Sequence, residues 1–360
     1  MVAIYIIVAI FIFGCLIMIH EFGHYFVARR CGVDIEEFSI GMGPKIFQKQ
    51  TKKTGMLFSV RALPIGGYVS MKGEEGDSDD PGAFRQKSVW RRMAIVAAGA
   101  MMNLLLGFLI VCIIVCMAAR TNPETGASGL ASTTIAAFGE NATSNAEGGL
   151  MVGDRVISVG RVRVHTGEEL VYEVGMQGYR PLTLTVVRDG GKIVLHDVTF
   201  PTMSEQDISF GDCDFYVLAV RDPNPGTVIS TAFHRSISLV KMVWDSLINL
   251  ITGRFGFTAL SGPIGVTGAV HDTIQGSGWS AGQVINYILY ITALISVNLG
   301  VFNLIPFPAL DGGRLFFLVI EAIFRVKIPA EVEAKINFAG IVLLMGLMVF
   351  VAGKDIVGLF

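Results

Sequence analysis

Charge is scarce in this 360-residue chain. Lysine, arginine, aspartate and glutamate make up 16% of it, while 52% is hydrophobic. With a mean hydropathy of +0.59, the composition excludes an ordinary soluble globule and fits an integral membrane protein with a soluble portion. A net charge of −2 offers no basic field, so nucleic acid is not an expected partner. Cysteine is sparse and odd in number, five in all. Cys112 and Cys116 lie inside an apolar run, and no disulfide framework is implied. The N-terminus shows neither a basic n-region nor a small-residue cleavage site, which argues against a removable signal peptide.

Long uncharged runs stand in place of charge. Val2 to Ile19 holds no charged residue and only Gly14 as a weak breaker. At about 1.5 Å per residue it crosses most of a hydrocarbon core of about 30 Å. Ala94 to Ala118, Gln283 to Phe307 and the shorter Ile336 to Ala352 are three further candidate spans. Arg29, Arg30, Lys87, Arg91 and Arg92 flank the loop between the first two spans, with Trp90 as an interfacial anchor, whereas Arg120 stands nearly alone after the second. The excess of positive charge places that loop in the cytoplasm and both termini outside.

His20-Glu21-Phe22-Gly23-His24 closes the first run. Residues four apart share a helix face, so both imidazoles can reach one metal ion. Glu21 lies about 100° round from His20, close enough to hold a water without ligating the metal. That pattern suits metal-activated hydrolysis, with zinc acidifying the water and the carboxylate taking its proton. A lone HExxH also arises by chance. Here chance must also account for ionisable groups at membrane depth, where each costs about 2.5–3.5 kcal/mol. A catalytic zinc usually has three protein ligands, so a third is expected elsewhere in the membrane region. Asn303-Leu-Ile-Pro306-Phe-Pro308-Ala-Leu-Asp311-Gly312-Gly313 breaks the third apolar run. Irregular backbone at that depth is tolerated where it lines a cavity or is buried in protein. Alone, Asp-Gly-Gly reads as a turn; beside HExxH, Asp311 reads as the missing ligand.

Arg120 to about Ala281 then lies outside the cytoplasm. Leu182–Arg188 and Lys192–Val198 alternate around Asp189-Gly190-Gly191, a hairpin pattern. Ala146 to Val156 matches the A-x-x-G-L-x-x-G-D-x-[IV] pattern of PDZ domains in bacterial proteases. The similarity covers residues 121–202, and such a module either adds or screens peptide segments at a sheet edge or merely packs on the membrane domain. Residues 203–281 read as a linker and an amphipathic helix. Phe233, Ile237, Val240, Trp244, Leu247 and Ile251 lie on one side; Arg235, Ser238, Lys241, Asp245 and Asn249 lie on the other. It lies on the membrane surface or packs against the module.

The pairing of HExxH with N-x-x-P-x-P-x-L-D-G-G resembles the site-2 protease family of intramembrane zinc metalloproteases. The likeness is to its bacterial regulator-of-sigma-E branch, here with one PDZ-like module. Phe38–Pro44, Arg61–Val69 and Ser261–Gly265 are similar to further family stretches. The resemblance implies a bacterial inner-membrane, multi-pass enzyme. His20, His24 and Asp311 would ligate zinc, with Glu21 as base near the cytoplasmic side. Asn303, Pro306, Pro308, Gly66, Gly67 and Tyr68 would contact the substrate, a single-span membrane protein such as an anti-sigma factor or a signal-peptide remnant. One departure is that Gly99-Ala100-Met-Met-Asn103 lacks the family's proline after glycine.

The expected fold is therefore a polytopic α-helical membrane protein of four spans with a membrane-associated β-hairpin and an extracytoplasmic β-rich PDZ-like domain. Residues 1–118 carry the first two spans and the hairpin, and 282–360 the last two. Phe58–Ala62 and Gly67–Met71 read as short strands about a Pro64 bend that offer an edge to unwound substrate, or as a plain cytoplasmic hairpin. Two other classes compete. An inactive scaffold would have a broken HExxH, and a metal transporter would spread its polar residues across the membrane depth. Neither matches this clustering.

Overall fold

The computed structural model describes residues 2–357 apart from 53–54, 75, 77, 123–124, 206–207, 257–267, 269, 271–272, 275 and 277. The stretch Ser261–Gly265 thus lies outside the described residues. In chain order the elements are α1 (Val2–Arg30), β1 (Ile35–Gln50), β2 (Leu57–Met71), α2 (Val89–Ala118), β3 (Ala127–Phe138), β4 (Arg155–Val159), β5 (Val162–Arg163), α3 (Gly167–Gln177), β6 (Leu182–Arg188), β7 (Gly191–Val198), β8 (Thr202–Glu205), β9 (Ile208–Gly211), β10 (Phe215–Arg221), α4 (Pro225–Ile251), α5 (Ala281–Leu304), α6 (Asp311–Phe324) and α7 (Ala330–Val357). They form two compact units, Met1–Gly107 with Leu260–Phe360, and Phe108–Ala259.

Helices α1, α2, α5 and α7 are each long and apolar enough to cross a membrane, at the four places expected. Helix α1 runs on past His24, so the HExxH lies inside the helix and not at its end. It stops where Val33 N–H donates to Ala28 O and Gly32 N–H donates to Arg29 O, with Gly32 left-handed at φ 76°. That is a Schellman cap.

Strands β1 and β2 revise the expected hairpin. Phe58–Ala62 and Gly67–Met71 do not pair with each other. Residues 37–40 lie between them, pairing with 67–70 on one side and 57–60 on the other, while 45–50 pair with 57–61. Each long strand doubles back, giving four segments in the order 67–71, 37–40, 57–61 and 45–50. The two outer pairings are antiparallel and the central one, 37–40 with 57–60, runs in the same direction. Gly41 makes the fold possible: its φ is 83°, and a Cβ there would stand 2.5 Å from the Leu63 carbonyl oxygen. Phe38, Val69, Ile35 and Met71 bury their side chains with Ala28, Ile95, Val96 and Leu318, which seats the sheet on α1, α2 and α6.

Within this sheet Glu37 accepts from Ser59 Oγ at 2.5 Å and pairs with Arg61 at 3.1 Å and Lys45 at 3.2 Å. Burial pushes its carboxyl up, but hydrogen bonds from Ser59, Tyr68, Arg61 and Lys45 outweigh that and bring it down to about 2. Arg314 on α6 is held by Glu74 and by Glu333 of α7, and Arg92 on α2 meets Glu321 of α6 at 2.5 Å. These ion pairs hold α6 in place beside the sheet.

In the second unit the sheet order is β10-β3-β4-β6-β7, with β5 against β4. Ile135, Leu150, Val156, Leu170, Val174, Leu184 and Val186 fill its core. The β6–β7 hairpin is as read from the alternation, its turn carried by Asp189 (φ 50°) and Gly190 (φ 79°). The unit does not end at residue 202. Strand β10, expected as linker, pairs with β3. Strand β3 meets β4 at a single residue pair and would otherwise leave a long unpaired edge.

Helix α4 turns its polar side to α3: Arg235 meets Glu168 at 2.8 Å, Lys241 meets Glu173 at 2.6 Å, and Tyr172 donates to Asp245 at 3.1 Å. Its apolar stripe, including Phe233, Ile237, Trp244 and Ile251, is exposed. Packing against α3 thus uses the charged face, while Ala232, Leu239 and Val243 are the apolar residues of α4 that are buried.

Two outcomes are expected. Asp154 is fully buried and takes both oxygens to Arg188 at 2.7 Å, so Asp154→Ala should destabilise the second unit by about 3–5 kcal/mol. Urea-dependent proteolysis measures this, and an unchanged midpoint refutes it. Because the Glu37 carboxyl lies below the ordinary range, its contribution is complete above that range and lost as pH falls towards 2. Hydrogen exchange in β1 and β2 should accelerate over that window, and Glu37→Gln should remove the dependence.

A candidate metal centre and active site

Helix α1 presents His20 and His24 on one face, both buried, with Nε2 atoms 3.2 Å apart. The carboxylate comes from another segment. Helix α5 ends at Leu304, and residues 305–310 form an irregular crossing. Helix α6 then starts with Asp311 in its first turn. Ala309 takes a left-handed φ of 75°, and its N–H donates to Asn337 Oδ1 on α7 at 3.3 Å. Gly312 and Gly313 leave no room for side chains: a Cβ on either would come within 2.0 Å of Ile305 O or 2.5 Å of Phe307 O. The glycine pair thus lets α6 begin tight against the break and carries Asp311 to the histidines.

Asp311 Oδ2 lies 2.9 Å from His20 Nε2 and 3.2 Å from His24 Nε2. Ligands of a tetrahedral zinc at about 2.0–2.1 Å stand about 3.3 Å from one another, so the three atoms have the spacing of one face of such a site. Their chemistry agrees. His24 Nδ1 lies 2.8 Å from the Ile95 carbonyl, which fixes Nδ1–H as donor and leaves the Nε2 lone pair facing a carboxylate. Asp311 Oδ2 is buried with no hydrogen-bond partner. Lone pairs meeting at one buried point call for a cation.

Two residues of α2 complete the surroundings. Gly99 lies directly over the imidazoles: a Cβ there would come 2.3 Å from His24 Nε2 and 2.7 Å from His20 Nε2. One turn on, buried Asn103 has its amide 3.5 Å from His20 Nδ1 and its Oδ1 unpartnered. With Nε2 turned to a metal, His20 Nδ1 carries the proton, and the amide oriented with Oδ1 towards it satisfies both groups. Ser296 on α5 donates to the Asn103 carbonyl at 2.7 Å. Sequence reading singled out Gly99 to Asn103 for a missing proline and missed these contacts. The i,i+4 spacing of Gly99 and Asn103, matching that of the histidines, was the available signal.

Glu21 accepts from the Val69 backbone N–H at 3.2 Å, which ties the HExxH to segment 67–71. That segment pairs through residues 67–71 with β1 alone, and its Val69 N–H points to Glu21 and not to another strand. Gly66 sits against α1, where a Cβ would meet Ile17 Cγ2 at 3.7 Å, and Gly67 backs onto the Ser39 carbonyl. Tyr68 hydrogen-bonds Arg61. Asn303 is half-buried in the last turn of α5, and Pro306 and Pro308 lie in the break. All six anticipated substrate residues belong to the unit that holds the histidines. Gly66, Gly67 and Tyr68 adjoin the strand edge beside Glu21, and Asn303, Pro306 and Pro308 immediately precede Asp311.

Residues 8–347 match the sequence profile of peptidase family M50. A protein of Clostridium perfringens that carries a zinc-metalloprotease name is 35% identical, with 98% of each chain covered. The zinc metalloprotease RasP of Bacillus licheniformis is 29% identical, and the regulator of sigma-W protease RasP of Bacillus subtilis 28%, each over 99% of both chains. The chain belongs to peptidase family M50, the site-2 protease family, and is a zinc metalloprotease of a polytopic membrane type.

Gly99→Ala should abolish zinc retention, because the added methyl occupies the space between the imidazoles. Asn103→Leu should weaken zinc binding about 10–100-fold by freeing the His20 ring. Zinc content after dialysis against graded chelator measures both, and wild-type retention in Asn103→Leu would remove that residue from the site.

Proposed function

We propose that this M50 peptidase hydrolyses a peptide bond within or near the transmembrane helix of a single-span membrane protein, in regulated intramembrane proteolysis. Anti-sigma factors or signal-peptide remnants are the substrate class. The convergence of His20 Nε2, His24 Nε2 and Asp311 Oδ2 in a unit built from apolar helices carries this reading.

His20, His24 and Asp311 hold the zinc, which when bound polarises the scissile carbonyl and acidifies water. Glu21 takes the proton of the attacking water and returns it to the leaving amine. A helical substrate hides its amides in its own ladder and must unwind first. Segment 67–71 then offers its outer edge as a pairing partner next to Glu21. Asn303 makes no side-chain hydrogen bond among the described residues and is free to take a substrate amide. Pro306 and Pro308 keep the backbone open in front of Asp311, since neither has an N–H to return to a helix.

The enzyme is placed in the bacterial inner membrane, with the metal centre towards the cytoplasm by the positive-inside argument. The β-rich unit is an extracytoplasmic PDZ-like domain that recruits or screens the substrate's outer portion. The exposed apolar stripe of α4 supports its lying at the membrane surface.

Purified protein in liposomes should cleave a single-span substrate inside its span, and a zinc chelator should stop it. Glu21→Gln should keep its zinc and lose at least about 100-fold in rate. Turnover at the wild-type rate would exclude Glu21 as base. Val69→Pro, which removes the edge N–H, should slow cleavage with zinc content unchanged, and equal kcat would take this strand out of the mechanism.

A further inference from the structure

Outside the membrane unit a second set of metal-binding side chains comes together. His165 precedes α3, Glu169 is in its first turn, and His234 lies on α4. One ligand atom from each falls within 4.8 Å of the others. The two imidazoles stack face to face, with centroids 3.8 Å apart and planes 10° from parallel. His165 Nδ1 is 3.4 Å from Glu169 Oε2. Among the described residues no hydrogen bond uses a nitrogen of either ring.

We propose that His165, Glu169 and His234 form a second metal site, for a divalent transition ion of the zinc class, that fastens α4 to α3. The donor set decides the class: two imidazoles and one carboxylate suit zinc and its neighbours, whereas calcium and magnesium require oxygen ligands. The carboxylate is already fixed. Glu169 Oε2 accepts from the backbone N–H of His165 at 2.6 Å and of Thr166 at 3.3 Å, in a capping box. Ser238 Oγ on α4 donates to Oε1 at 2.5 Å. Hydrogen bonds of this kind orient ligands around metals. The carboxylate side chain is 11% exposed and the His165 side chain 44%. Parallel stacked rings cannot both aim an in-plane lone pair at one ion, so metal binding requires His165, on its exposed side, to turn out of the stack.

The consequence is mechanical. Arg235–Glu168 and Lys241–Glu173 already join the polar face of α4 to α3, but such partly exposed pairs contribute little and weaken with salt. A metal bridge at His234 would lock that face inward. It would hold the apolar stripe of α4, Phe233 and Ile237 among it, turned outward. Occupancy would then set how firmly the amphipathic helix is presented.

The test is zinc stoichiometry on full-length protein in detergent, dialysed at a fixed free Zn2+. The proteins are wild type, Asp311→Asn, His234→Ala and His165→Ala. Two zinc ions per wild-type chain are expected, with one lost in Asp311→Asn and one lost, independently, in each histidine variant. Co2+ added to Asp311→Asn should give a visible d–d absorption that disappears when His234→Ala is combined with it, provided the chain stays folded by circular dichroism. His165→Ala, at the exposed position, guards against a folding defect at His234. One zinc per wild-type chain, or a zinc content unchanged by both histidine variants, overturns the proposal and leaves a stacked imidazole pair. An unchanged zinc content in Asp311→Asn would instead count against the first site and leave the second standing.

Discussion

Two imidazole nitrogens and a carboxylate oxygen, all within 3.2 Å of one another and removed from water, dominate the membrane unit. Placing bare lone pairs so close is unfavourable without a cation, and doing so among apolar helices is more so. Much of the surrounding architecture can be understood as allowing that meeting. Gly23 lets α1 approach α2, since a Cβ would stand 2.4 Å from the Ala98 carbonyl oxygen. Gly99 then leaves the space above the imidazoles open. The 305–310 break and its two glycines swing the start of α6 into place. The ion pairs of Arg314 and Arg92 keep that helix from moving away.

The soluble parts follow from the same setting. Segment 67–71 keeps an outer edge beside Glu21, to which its Val69 N–H donates. The doubled-back course of β1 and β2 makes this possible, because residues 37–40 occupy its inner edge and leave the outer one to face α1. The second unit shows an unusual polarity in α4, whose charged face is spent on α3 and whose apolar face is left outward. In water that would be a liability.

Local sequence determined much of this chain. Uncharged runs marked the four long apolar helices α1, α2, α5 and α7, since only a helix satisfies its own backbone in lipid. The i,i+4 spacing put His20 and His24 on one face, and the prolines and glycines before and after Asp311 marked a break that could carry a ligand. Alternation about Asp189-Gly190 marked the β6–β7 hairpin. Each of these signals is short in range, and each depends on a residue's relation to neighbours a few positions away.

What only the tertiary structure decided was pairing between distant segments. The strands of 57–71 look like each other's partners in sequence, yet both take residues 37–40, because glycine bends let β1 pass between them. Strand β10 reads as linker until the open edge of β3 needs a partner. Asn103, the Ile95 carbonyl and the Val69 N–H bear on the centre through contacts from 48 to 83 residues away in sequence. The stacking of His165 on His234 likewise needs α4 folded back onto α3. Long-range contacts of this kind depend on which surfaces remain open once the local elements have formed, and no periodicity in the chain records that.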